Sequence, residues 1–314
     1  MGITKQEDLP RIVILLGPTG VGKSDLALQL AEKFGGEILN SDSMQVYRYM
    51  DIGTAKPSKE DQKRIKHHLI DLINPDQSFN ANLYRIYGRK VIDQLHRERK
   101  PIWVVGGTGL YIKALTQGLF SCPQIDPAVR ERLKQEAEEK GVLSLYGRLK
   151  KVDPKTASGL HPHDLFRIIR ALEVFDSTGV PISFFREQHR FGDRPYRTLK
   201  IGLEMQRDQL YDRINHRVDR MIEQGFLGEV EGLLEMGYGP ELKPMQSLGY
   251  KQMVQFILKK MEWDEAVRQM KRDTRRYSKR QWTWFKADPE VRWFDLTRGG
   301  GKISIEVASF LRGG

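Results

Sequence analysis

One cysteine, Cys122, stands in 314 residues. No disulfide can close within the chain and no cysteine zinc site can form, which suits a reducing compartment. No apolar run approaches the roughly 20 residues needed to cross a bilayer. Residues 1–11 are short and polar, where a secretory signal would be apolar. A cytoplasmic protein is therefore expected. There are no internal repeats, and the only glycine-rich stretch of note is a short turn at Arg298-Gly299-Gly300-Gly301. Acidic charge is also in deficit: 41 Asp and Glu stand against 52 Lys and Arg, a net charge of +11. A small-molecule enzyme has no need of that surplus, so a polyanionic partner is expected.

What is present is concentrated near the start. Ile12-Val13-Ile14-Leu15-Leu16 runs into Gly17-Pro18-Thr19-Gly20-Val21-Gly22-Lys23-Ser24, and a helical composition follows from Asp25. Strand, glycine turn and helix are the context in which a Gly-x4-Gly-Lys-Ser sequence is a phosphate-binding P-loop. Glycine lets backbone N–H groups close on phosphate oxygens, and the helix N-terminus adds positive potential. Lys23 supplies a point charge for the terminal phosphates, and Ser24 a hydroxyl placed for Mg²⁺.

Glu37-Ile38-Leu39-Asn40 reads as a second strand, delivering Ser41-Asp42-Ser43-Met44-Gln45 at its C-terminal end, where open α/β sheets bind ligands. A charged helix follows Pro57, His67-His68 returns toward the sheet, and a helix is expected over residues 81–98. Ile102-Trp103-Val104-Val105 is a third strand, entering Gly106-Gly107-Thr108. This alternation predicts an α/β fold: a P-loop NTPase-like parallel sheet flanked by helices, with right-handed crossovers. Residues 118–197 show no convincing strand but several capped helices, one begun by Asp126-Pro127 and another by Asp164. They are read as an inserted all-helical domain between core segments 1–117 and 198–314. Thr198 resumes the sheet, a helix over residues 207–224 carries Arg213, Arg217 and Arg220 on one face, and Val291-Arg292-Trp293-Phe294 is a final strand. A long basic helix over residues 264–286 interleaves Trp282 and Trp284.

Asp42 stands where a carboxylate can accept a proton from an incoming nucleophile; the competing roles are a water-mediated Mg²⁺ contact and a helix cap. The third strand ends in glycine and threonine rather than the acidic residue with which NTP-hydrolysing P-loop proteins help hold Mg²⁺. That absence argues against NTP hydrolysis. Thr108 either hydrogen-bonds a flat ligand or caps the turn. Arg217, with Lys279 and Arg280, is a candidate to neutralise a departing phosphate, against a simple solvated basic face. Arg167 and Arg170 fit phosphate contacts. The histidine pairs 67/68 and 161/163 are assigned to loop and capping roles rather than to metal.

The P-loop, Ser41-Asp42-Ser43-Met44-Gln45-Val46-Tyr47, Asp51-Ile52-Gly53-Thr54-Ala55-Lys56-Pro57 and Gly106-Gly107-Thr108-Gly109-Leu110-Tyr111 occur in order. Arg170-Ala171-Leu172-Glu173-Val174, Leu248-Gly249-Tyr250-Lys251-Gln252 and Lys279-Arg280-Gln281-Trp282-Thr283-Trp284 follow. End to end, this set resembles the bacterial tRNA dimethylallyltransferases, or tRNA isopentenyltransferases. The resemblance implies transfer of a dimethylallyl group from dimethylallyl diphosphate to the exocyclic amine of the adenosine 3′ to the anticodon. It implies that the P-loop grips a diphosphate, with Lys23, Ser24 and Arg217 holding it and Mg²⁺. Asp42 becomes the general base and Thr108 its partner in placing the amine. Asp42, Ser43, Met44 and Gln45, then Phe166, Arg167, Ile168, Ile169 and Arg170, then Gln246, Ser247, Leu248, Gly249, Tyr250 and Lys251 become tRNA-contacting stretches, with Lys279 and Arg280 beside them. The insertion is implied to clasp the anticodon stem. Eukaryotic relatives carry a C-terminal zinc finger, so the match is to the shorter bacterial form, expected as a monomer. The rivals are an adenylate isopentenyltransferase, which would accept free AMP or ATP, a P-loop small-molecule kinase, which would turn over ATP without a prenyl donor, and a non-catalytic RNA-binding module.

Overall fold

The computed structural model describes residues 9–120, 126–189 and 192–313. Cys122, Phe191 and residues 1–8 lie outside the described residues. Among the described residues six strands form one sheet in the order β3-β2-β4-β1-β5-β6, every pairing parallel. They are β1 (Arg11–Leu16), β2 (Glu37–Asn40), β3 (His67–His68), β4 (Ile102–Val105), β5 (Arg197–Glu204) and β6 (Val291–Asp295). Central strands of a parallel sheet are covered on both faces and so are apolar throughout. In β1, Ile12, Ile14 and Leu16 join a core on one face with Leu39 and Val104, while Val13 and Leu15 face the other with Ile38, Trp103 and Ile201.

Around the sheet, α1 (Lys23–Phe34) links β1 to β2, α2 (Lys59–Arg64) precedes β3, α3 (Ala81–Arg97) leads into β4, and α4 (Gly109–Gln117) leaves it. Five helices follow: α5 (Pro127–Lys140), α6 (Val142–Val152), α7 (Pro154–Ser158), α8 (Leu165–Thr178) and α9 (Ile182–His189). The Asp126 side chain caps α5 through the Ala128 N–H, and Asp164 caps α8 through that of Arg167. Leu133, Leu145, Leu149, Ile168 and Leu172 form a separate core for these helices. The chain accordingly divides into one compact unit of Met1–Thr116 with Arg194–Gly314, and another of Gln117–Asp193. Arg197, placed in the insertion by the sequence pattern, already belongs to β5, paired with Arg11.

The C-terminal part supplies α10 (Arg207–Glu223), α11 (Phe226–Glu235), α12 (Tyr250–Ile257), α13 (Trp263–Lys286) and α14 (Leu296–Arg312). The glycine-rich stretch from Arg298 to Gly301, expected as a turn, is helical and lies within α14. Glycine costs about 1 kcal/mol per helical position. Burial of Ile303 and Val307 against the sheet, at about 1.5–3 kcal/mol per side chain, offsets much of that cost.

Candidate active site

β1 ends at a turn that only glycine can make. Gly17 has φ 139°, and a Cβ there would come within 2.6 Å of the Leu203 carbonyl oxygen on β5. Gly20 and Gly22 also have positive φ, and Gly22 hands the chain to α1. The Lys23 ammonium folds back onto the loop, donating to the carbonyls of Gly17 at 3.0 Å and Pro18 at 2.9 Å. Burial, and secondarily the Arg217 guanidinium, push the Lys23 pKa down to about 7, against the opposing pull of Asp42.

At the end of β2 the Asn40 side chain ties the next turn, donating to the Asp42 and Leu69 carbonyls and accepting the Asp42 N–H. Asp42 Oδ1 accepts the Met44 N–H at 2.8 Å. The Thr108 hydroxyl oxygen accepts the Ser43 N–H at 3.0 Å, so Thr108 holds the turn that carries Asp42. A Cβ on Gly106 would sit 2.2 Å from the Ser41 carbonyl oxygen, so the two strand ends approach as closely as they do only because Gly106 has none.

These groups converge on a cavity of about 80 Å³ lined by Lys23, Ser24, Asp42 and Arg217, with Ala27, Ile38 and Val105 also in its lining. Arg217 reaches it from α10 and is half-buried; burial lowers its pKa while Asp42 raises it. A second cleft of about 530 Å³ adjoins the P-loop and is edged by Arg213, Arg217 and Arg220, the three arginines expected on one face.

Lys279 and Arg280 line neither cavity. Both are exposed, Arg280 over the Tyr277 ring, because the helical rotation of α13 turns Tyr277 and Gln281 inward instead. Gln281 bridges the P-loop and the glycine turn after β4, its Oε1 accepting the Thr19 N–H at 2.8 Å and its Nε2 donating to the Gly107 carbonyl at 3.0 Å. Replacing Gln281 with alanine leaves both backbone groups without these partners. We expect the dissociation constant for diphosphate to rise about tenfold in calorimetry, from a loss of ~1–3 kcal/mol. His67, assigned to a loop role by sequence, also lines the cavity. Its Nδ1 lies 2.8 Å from the Ile65 carbonyl and burial holds its pKa down, so the ring is neutral with Nε2 unprotonated.

Other expected contact residues are redistributed by burial. Ile168 and Ile169 belong to the core of the helical unit, leaving Phe166 (73% exposed), Arg167 and Arg170 as its available surface, with Arg186 electrostatically coupled to both arginines. In the third stretch Gln246 and Lys251 are exposed, but Gly249 and Tyr250 are buried and cannot touch a macromolecule. Trp284 is exposed beside Gly109, whereas Trp282 packs on Trp293 under Lys286.

A glycine-rich loop between β1 and α1, beside a carboxylate and an arginine, on a parallel sheet flanked by helices, defines an α/β enzyme of P-loop-like fold. The IPP transferase family model matches residues 45–288. A tRNA dimethylallyltransferase of Syntrophobacter fumaroxidans is 54% identical, the match covering 95% of this chain and 86% of that protein. Among solved structures, a full-length tRNA isopentenylpyrophosphate transferase of Bacillus halodurans superposes with a TM-score of 0.72 at 37% identity, over 96% of this chain and 97% of that one. A eukaryotic dimethylallyltransferase acting on tRNA gives 0.77 at 28% identity, over 96% of this chain and 79% of that one. The chain belongs to the IPP transferase family.

Proposed function

We propose that the protein transfers a dimethylallyl group from dimethylallyl diphosphate to the exocyclic N6 amine of the adenosine 3′-adjacent to the anticodon of tRNA, releasing diphosphate. The observation that carries this reading is one small cavity in which two cations and a hydroxyl (Lys23, Arg217, Ser24) meet one carboxylate, Asp42, with apolar side chains also in the lining. The N6 lone pair forms the new C–N bond as the allylic C–O bond breaks, its electrons leaving with diphosphate. Asp42 takes the N6 proton. Lys23 and Arg217 neutralise the charge that develops on the leaving group, and Ala27, Ile38 and Val105 exclude water from the allylic carbon.

The chemistry of the donor suits Mg²⁺: the Ser24 hydroxyl is a hard oxygen. Among the described residues no three His, Cys, Asp or Glu side chains gather on a metal site, so Ser24 would hold the ion with help from diphosphate oxygens and water. Bound there, Mg²⁺ supplies further positive charge to the departing diphosphate.

The net charge of +11, the exposed Phe166 and Arg167 and the half-buried Arg170 support RNA as the acceptor. Arg167→Ala is expected to weaken tRNA binding and to flatten its salt dependence by about 0.7–0.9 in the log–log slope, the share of one phosphate contact. An unchanged slope removes Arg167 from the interface. No described helix is long and apolar enough to cross a membrane. The reading is of a cytoplasmic monomer, since one chain supplies every residue given a role.

The direct test is transfer of labelled dimethylallyl diphosphate, with Mg²⁺, to an anticodon stem-loop and in parallel to AMP and ATP. Label on the RNA, lost when the target adenosine is replaced, is the expected result. Label on free nucleotide would identify an adenylate prenyltransferase instead.

A further inference from the structure

We infer that Glu229 is a positioning residue for the transfer reaction, acting through the 51–57 loop on the side chain of Gln45. The inference rests on the transfer reading above. Glu229 lies on α11 and lines neither cavity. Its Oε2 accepts the N–H groups of Asp51 at 2.8 Å and Ile52 at 2.6 Å. Its Oε1 accepts the Gly53 N–H at 3.1 Å and the Tyr250 hydroxyl at 2.6 Å. Three successive backbone N–H groups turned to one side form an anion-binding concavity. Here a carboxylate from the same chain fills it.

The surroundings fix that arrangement. A Cβ on Gly53 would stand 2.2 Å from the Phe226 ring and 2.6 Å from that of Tyr250, so glycine lets the loop lie directly on the two rings. Those rings meet edge to face at 5.0 Å. Burial, then the Glu229 charge, raise the Tyr250 pKa, so its hydroxyl stays a donor. Beyond Gly53 the loop turns back on itself, with Lys56 buried and its ammonium on the Tyr47 carbonyl and the carboxylates of Asp51 and Asp71.

The loop reaches the site in two ways: Ala55 and Pro57 line the cavity directly, and its carbonyls hold Gln45. Gln45 Nε2 donates to the carbonyls of Thr54 at 3.2 Å and Ala55 at 3.1 Å, and Gln45 lines the cavity with Asp42. Two carbonyl partners require the nitrogen on that side of the amide. Gln45 Oε1 is thereby assigned as the acceptor end, suited to an N–H of the incoming base. A loop released from Glu229 frees the Gln45 amide to rotate and presents donor or acceptor at random. The loop edges the cleft beside the P-loop, but the hydrogen bonds that shape the P-loop, Lys23 to its carbonyls and Gln281 to Thr19, do not involve it.

The test compares Glu229→Ala, the isosteric Glu229→Gln, Gln45→Ala and the Glu229→Ala/Gln45→Ala double variant in the full chain. Glu229→Ala is expected to expose the amides of residues 51–53, raising their hydrogen exchange about tenfold or more. It should lower kcat/KM toward an anticodon stem-loop about 10–100-fold, with the affinity for inorganic diphosphate unchanged in calorimetry. Glu229→Gln, which keeps an acceptor oxygen, recovers part of the loss. With Gln45 already alanine, removing Glu229 costs little more, since residues acting through one another are not additive. Additive losses, or a parallel fall in diphosphate affinity, make Glu229 merely structural and overturn the proposal. Unchanged exchange at residues 51–53 overturns it independently of activity. A wild-type chain that prenylates no RNA overturns the transfer reading itself, which separates the two failures.

Discussion

Asp42→Asn is expected to lower kcat for prenyl transfer by about 10²–10⁴-fold, the range for loss of a positioned general base, while leaving RNA affinity nearly intact. Asparagine keeps the Oδ1 acceptor that binds the Met44 N–H, so the turn survives and the change isolates the proton transfer. An adenine amine is a weak nucleophile because its lone pair is delocalised into the ring, so removal of its proton bears directly on the rate. Single-turnover transfer to an anticodon stem-loop, alongside equilibrium RNA binding, separates the two effects. A large loss of RNA affinity with little change in the chemical step would make Asp42 a binding residue. The assay belongs below pH 7, because Asp42 also helps keep Lys23 charged.

Diphosphate binding is expected to weaken as pH rises above 7, by up to about tenfold per pH unit. The sign follows from the depressed pKa of Lys23. With the free-protein value at about 7, the amine is increasingly neutral above that pH, whereas a bound diphosphate favours the ammonium. Each binding event at pH 8 therefore takes up a proton, which calorimetry in buffers of different ionisation enthalpy reads directly. Lys23→Met should abolish the dependence between pH 7 and 9 and weaken binding by about 10–100-fold, the loss of a charge-assisted hydrogen bond. Arg217→Gln should move the break to higher pH, because the guanidinium is one cause of the depression. A pH profile identical in wild type and Lys23→Met would show that the titrating group is the diphosphate itself.

The parts of the site that were legible in the sequence are those whose chemistry is local. The strand–loop–helix around Lys23 and the acidic turn after β2 each depend on residues within a few positions of one another, and the pattern carries that information. Tyr277, Gln281 and His67 were not legible as cavity residues. Their inward orientation is set by the rotation of α13 and by the pairing of β3 with β2, and neither leaves a local signature. Lys279 and Arg280 illustrate the converse. A basic helix suggests a phosphate clamp, but the residues at positions 277 and 281 of the same helix face the cavity and turn the lysine and arginine to solvent. The glycines of α14 misled for a similar reason, since local propensity favours a turn and burial of Ile303 and Val307 overrides it.

The sequence by itself determined the α/β class, the glycine-rich loop between β1 and α1, the absence of an acidic residue at the end of β4, and the excess of positive charge. These follow from periodicity, spacing and composition, which are properties of neighbouring residues or of simple sums. Tertiary structure alone decided which cations enclose the cavity, that Thr108 holds the Asp42 turn, that Tyr250 is buried rather than offered to RNA, and that Glu229 anchors a loop 176 to 178 residues earlier in the chain. Those facts depend on which helix face packs inward and which distant backbone groups need an acceptor. Both are settled only when the whole core closes.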